Sequence, residues 1–228
     1  TVWGGFSTKW YVTLLDNEPL LNAALQSLKI ATLSATVATF LGTMAAVALT
    51  RFGRFYGRSL MQGVLMAPLV MPEVLLGLTM LLLFVAMDQL IGWPHQRGLL
   101  TISIAHTTFA VAYVVVVMQS RLKTVDRSLE EAALDLGARP LKVFFLITLP
   151  LIAPALLSSW LLAFTLSLDD LVIASFTSGP GSTTLPMIVF SSVRLGVNPQ
   201  INALATILLL SVFCSIALAT WVTRKKAP

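Results

Sequence analysis

Five apolar segments, each long enough to cross a bilayer, restrict this 228-residue chain to very few folds. They run approximately over 22–49, 59–87, 99–118, 145–177 and 203–223. A helix needs about 20 apolar residues to cross ~30 Å of hydrocarbon. Lipid offers no partners for open backbone groups, so such segments are expected to span as helices. Charged residues make up 11% of the chain, against about 25% in a soluble domain, which leaves no separate soluble domain. The expectation is an all-α integral membrane protein with a single transmembrane domain over 1–228. Segments longer than about 20 residues permit tilt, a kink or protrusion. Pro68 and Pro72 interrupt the second, and Pro150 and Pro154 lie near the start of the fourth. Each either kinks its helix for packing or breaks it along a pathway. Small residues four apart in the first segment (Ala31 and Ala35; Ala38, Gly42 and Ala46) suit close helix approach.

Loop charges orient the chain. Arg51, Arg54 and Arg58 follow the first span; Arg121, Lys123, Arg127, Arg139 and Lys142 follow the third; Arg224, Lys225 and Lys226 follow the fifth. These are eleven of fifteen Lys and Arg residues, and the side that holds them is expected to be cytoplasmic. Lys9, Lys29, Arg97 and Arg194 remain for the other side. The net charge of +5 thus belongs to membrane-flanking loops and does not imply a nucleic-acid partner. The exterior stretch 178–202 carries turn signals around a short apolar run at 185–193, which reads as a loop with a short helix. This topology puts the N-terminus outside, yet residues 1–20 hold no signal peptide. A further span before Thr1 is therefore expected, giving six in all with both ends cytoplasmic. Cys214 lies in an apolar run without metal-ligand company and reads as a packed thiol.

The most highly charged connection, 119–143, contains the sequence EEAALDLGARPLKV. Ser128 with Glu131 three residues later forms a capping-box pattern, so a short helix is expected from about Leu129. Glu130 and Glu131 in its first turn favour the helix dipole. Ala132 and Ala133 keep one surface thin, and Gly137 suits the helix end. Pro140 can then open a second short helix. Two short helices around a glycine corner would form a rigid knob able to transmit a push. Glu131-Ala132-Ala133, then Gly137, then Ile147 and Pro150 follow a spacing that resembles the EAA loop of bacterial ABC importers. By that loop, the membrane subunit of such importers docks onto its ATPase. The resemblance implies a coupling role for Ser128, Glu130, Glu131, Ala132, Ala133, Gly137, Ile147 and Pro150.

No glycine is followed by lysine, so a phosphate-binding Gly-Lys-Ser/Thr loop is absent from this sequence. His95 and His106 have no companion at metal-ligand spacing, and His106 reads as a hydrogen-bonded helix histidine. No catalytic residue, metal site or cofactor is expected on this chain; it reads as a transport subunit, not an enzyme. Acidic groups at membrane depth are costly and usually face a partner or a cavity. Glu73 is placed about fourteen residues into the second span, and Asp169 and Asp170 towards the outer part of the fourth. Glu73 either pairs with a neighbouring subunit or serves a cationic cargo. The aspartates either cap a helix end or serve that cargo. Trp160, Phe164 and Phe176 on the same span can supply apolar surface between spaced acceptors.

The stretches LAFTLSLDDLVIASFTSGPGSTTLPMIVF and APLVMPEVLLGLTMLLLF are similar to corresponding parts of polyamine ABC importer permeases. The resemblance covers nearly the whole chain and implies the type I ABC importer permease bundle of six spans, five of which are visible here. It further implies a homologous second permease subunit, an ATPase dimer binding ATP and Mg, and a periplasmic polyamine-binding protein. Putrescine is the expected cargo; spermidine, ferric iron and thiamine are alternatives, and an oxyanion fits poorly beside three acidic residues. A secondary transporter or channel is the reading from a different class, disfavoured by the docking loop and by the lack of an inverted repeat.

Overall fold

Residues 7–195, 199–207 and 210 are described by a computed structural model. A short helix α1 (Lys9–Leu15) precedes α2 (Glu18–Arg51). Asn17 starts α2 by accepting the Leu20 N–H on its side chain, and Pro19 sits where an unpaired N–H is no loss. At 34 residues α2 is about 51 Å long, more than a bilayer core requires. Then follow α3 (Arg58–Val70), α4 (Glu73–Ile91) and α5 (Leu99–Thr124). Past α5 come α6 (Ser128–Asp135) and α7 (Pro140–Val143), a π-turn over Phe144–Thr148, and α8 (Leu149–Leu168). The last named elements are α9 (Val172–Thr177) and α10 (Leu185–Leu195), with residues 199–207 helical beyond them.

Among the described residues, four helical stretches are long and apolar enough to span: Glu18–Arg51, Glu73–Ile91, Leu99–Thr124 and Pro140–Leu168. The fifth expected span, 203–223, lies mostly outside the described residues, as does Cys214. Two boundaries differ from expectation, each for a local reason. The second span is not continuous. It breaks at Met71 and Pro72, both extended (ψ 134° and 137°), and for Met71 that is the conformation a residue before proline prefers. Pro68, by contrast, is carried inside α3. The fourth span begins earlier, at Pro140, and ends at Leu168, because Asp170 opens a separate helix, α9, rather than continuing α8.

The core lies where α2, α5 and α8 meet. The small-residue stripe of α2 is buried there, Ala31, Ala35, Ala38 and Ala46 being wholly inaccessible. Ala35, Ala38 and Ala46 pack with Val114, Met118 and Leu122 of α5 and Ile152 and Ala163 of α8. At Gly42 an added Cβ would stand 2.6 Å from Val114 Cγ1, so only glycine allows this crossing. Close packing of small residues is the main attraction between helices in lipid. At one end of the bundle Ser34 donates to the Ser103 carbonyl, Thr101 to the Thr177 carbonyl, and the Leu185 N–H to Ser27. The first joins α2 to α5, the second ties the end of α9 to α5, and the third ties the start of α10 to α2. The other end carries α6 and α7.

Candidate functional site

Two constellations stand out, one at the loop end and one where two spans break. At the loop end α6 starts differently from the capping-box expectation. Ser128 is the first helical residue and makes no side-chain cap; instead Asp126 Oδ1 accepts the Ser128 N–H at 3.0 Å. That bond holds the Asp126 carboxyl below the ordinary aspartate range. The local sequence allowed both starts, and the shorter turn through Asp126 prevails. At the far end α6 closes with the Gly137 N–H on the Leu134 carbonyl and the Ala138 N–H on the Ala133 carbonyl. This pair of bonds needs a left-handed residue, and Gly137 has φ +83°.

Glu130 and Glu131, adjacent in sequence, have different surroundings. Glu130 Oε1 receives Arg51 Nη2 at 3.0 Å, Arg51 Nε at 3.2 Å and the Thr148 hydroxyl at 3.0 Å. One carboxylate oxygen thus joins α6 to the end of α2 and to the π-turn. Arg127 adds a bond to the Arg51 carbonyl. Glu131 and Ala132 are exposed, and Ala133 is half-buried. Leu136, not singled out from sequence, is 89% exposed beside Gly137, and Leu129 is also exposed. A leucine directly before a helix-ending glycine in a charged connection is the sequence signal that would have found it. Ile147 lies half-buried in the π-turn, and Pro150 is exposed at the second position of α8. The π-turn ends with the Leu149 N–H on the Phe144 carbonyl, immediately before a proline that has no N–H to offer.

The second constellation surrounds the two breaks. Glu73, expected about fourteen residues into a continuous second span, is the exposed first residue of α4, directly after the break. Asp169 ends α8 and is exposed. The two breaks adjoin: a Cβ on Gly77 would stand 3.3 Å from Ile173 Cα and 2.6 Å from Phe176 Cδ2. Glu73 and Asp169 each precede this α4–α9 contact by four residues. Asp170 has a structural place. It is buried, its Oδ1 accepts the Ala174 N–H at 2.8 Å to start α9, and His106 Nε2 of α5 lies 3.2 Å away. His106 Nδ1 in turn meets the Ser167 hydroxyl at 2.7 Å.

The aromatic residues do not join Asp169. Trp160 and Phe164 stack at 5.2 Å, Trp160 Nε1 donates to Thr36 of α2, and both pack on the α2–α5–α8 core. Asp169 is nine residues beyond Trp160, about 180° round a helix turning 100° per residue. Phe176 is spent on the glycine of α4. The exposed face of α8 in line with Asp169 is formed by Ser158, Leu161 and Thr165.

Residues 38–227 match the family described as binding-protein-dependent transport system inner membrane component. The chain belongs to that family. It is an all-helical, multi-pass permease subunit of the type I ABC importer class. The permease is 65% identical over 209 residues to the putrescine transport system permease protein PotI of Escherichia coli K12, covering 92% of this chain and 74% of that protein. It is 42% identical over 224 residues to the spermidine/putrescine transport system permease protein PotC of Escherichia coli K12, covering 98% and 82%. Its fold is that of the MetNI methionine ABC transporter in an inward-facing conformation. There the TM-score is 0.68 at 18% identity, covering 98% of this chain and all of that one. A bacterial ABC transporter importing the polysaccharide alginate gives 0.66 at 19% identity, covering 94% and 78%.

Proposed function

We propose that this permease imports a polyamine, with putrescine the first choice. The carrying observation is that Asp169 and Glu73, both exposed, stand at the two helix breaks and one turn from the α4–α9 contact. Irregular backbone at membrane depth is tolerated where it lines a cavity, and carboxylates there suit a cationic cargo. The names of the two relatives above support the same cargo. Spermidine is the second reading, favoured by the PotC relative. In this reading a periplasmic polyamine-binding protein delivers the cargo, which passes between the permease and a homologous second permease subunit to the cytoplasm. The chain supplies no energy itself; ATP and Mg are held by an ATPase dimer on which α6 and α7 dock. Exposed Glu131 and Leu136 on a helix fixed from behind by Glu130 support that docking. The loop end is cytoplasmic by the asymmetry of basic residues.

The test is uptake by the reconstituted transporter with a panel of diamines and longer polyamines as competitors. Asp169→Asn and Glu73→Gln should raise the putrescine concentration for half-maximal uptake while leaving assembly and basal ATP hydrolysis in place. Wild-type uptake by both variants would end the counter-charge reading.

A further inference from the structure

At the loop end, between α2, α3, α5 and α6, lies a cavity of about 410 Å³ lined by Arg51, Arg58, Lys123 and Arg127, with Gln62 and Gln119. Four cations share this space, and among the described residues one carboxylate, Glu130 on Arg51, pairs with them. The guanidinium of Arg58 is held by neutral backbone: Nη1 donates to the Gly53 carbonyl and Nη2 to the Leu49 carbonyl. Arg127 likewise donates to the Arg51 carbonyl. These bonds fix the side chains without neutralising them. Among the described residues neither of these arginines nor Lys123 has an ion pair. Like charges gathered in one cavity repel, and the arrangement gains most from an anion placed among them.

The surroundings identify the class of anion. The connection from α2 to α3 exposes Tyr56 (105%), a side chain that favours the headgroup layer of a bilayer. A polyamine would be repelled, so this cavity lies off the cargo route. We infer that it is a phosphate-binding site filled by the headgroup of an anionic lipid, which clamps the start of α6 against α2, α3 and α5. Basic pockets between spans at the cytoplasmic surface are the places where such headgroups bind. The lipid assignment rests on the cytoplasmic orientation proposed above.

The test takes the purified full transporter in detergent and adds phosphatidylglycerol, phosphatidylcholine or inorganic phosphate. Phosphatidylglycerol should raise the melting temperature and remain bound in native mass spectrometry; the other two should do neither. Lys123→Gln should weaken that retention about five-fold, with Lys123→Arg restoring it. Lys123 is exposed, so its loss should leave the melting temperature without lipid unchanged. Equal retention by wild type and Lys123→Gln would overturn the site. A shift produced equally by inorganic phosphate would overturn the lipid as its occupant. Failure of the orientation alone would be distinguishable: position 139 would label from outside while the phosphatidylglycerol shift persisted.

Discussion

At Asp170, Oδ1 takes the Ala174 N–H and lies 3.2 Å from His106 Nε2, while Asp169, one residue earlier, is exposed. The two aspartates should therefore fail in different ways when neutralised. Asp170→Asn keeps an acceptor for the Ala174 N–H but loses the charge opposite His106, and should cost about 1–3 kcal/mol of stability. Asp169→Asn should leave the melting temperature unchanged and lower uptake. A melting curve of the purified transporter and an uptake assay on each variant separate the two, and an Asp170→Asn protein with wild-type melting would remove its structural role. Sequence reasoning saw both carboxylates but had no means of dividing them, because the deciding histidine sits on another helix, 61 residues from the Ser167 it also bonds. Gly137 was legible, since a glycine after a short charged helix has few other uses. Its φ of +83° costs a residue with a Cβ about 1–2 kcal/mol, although nothing lies within 4 Å to clash. Gly137→Val should thus lower transport-stimulated ATP hydrolysis more than Gly137→Asn, asparagine tolerating this conformation better. Equal coupling in both would show that the corner is not strained in the working transporter.

Among the elements, α6 is defined by its three attachments. Glu130→Gln weakens the charge-assisted bonds from Arg51 and should destabilise the docking of α6 by about 1–2 kcal/mol. Hydrogen exchange should show faster exchange of the α6 amides in this variant, and in Glu131→Gln no change. The start of the same helix carries a pH dependence. Asp126 is lowered by the Ser128 N–H, so its contribution is present at neutral pH and is lost only as pH falls below the ordinary aspartate range. Circular dichroism of a peptide would miss this, since α6 is held by Arg51 and Thr148; amide exchange in the intact transporter down to acid pH measures it. The helical spans were legible from hydropathy, yet their breaks were only half so. Pro72 announces the first, through the extended backbone it imposes on Met71. The second break carries no proline; it exists because Asp170 caps a new helix, and both continuing and stopping were locally available.

For the molecule as a whole, the basic residues around α6 and α7 predict that one end faces the cytoplasm. In a Cys214→Ser background, Arg139→Cys should resist an impermeant thiol reagent in intact cells and react in inverted vesicles. Labelling from outside would reverse the topology. Within that frame the Glu130 oxygen has a mechanical meaning. Arg51 closes α2, and Thr148 ends the π-turn that leads into α8, so one atom is shared by two of the three helices of the core. A load applied to α6 has no slack to take up before it reaches them. The stroke of an ATPase beneath would be divided at once between two levers that already lie against each other, in a ratio set by where each is gripped. Gearing of this kind depends on stiffness, not on strength. A variant that lengthens the grip by a single bond, such as Glu130→Asp, should waste fuel before it loses the fold: ATP turnover would continue while fewer cargo molecules cross per cycle.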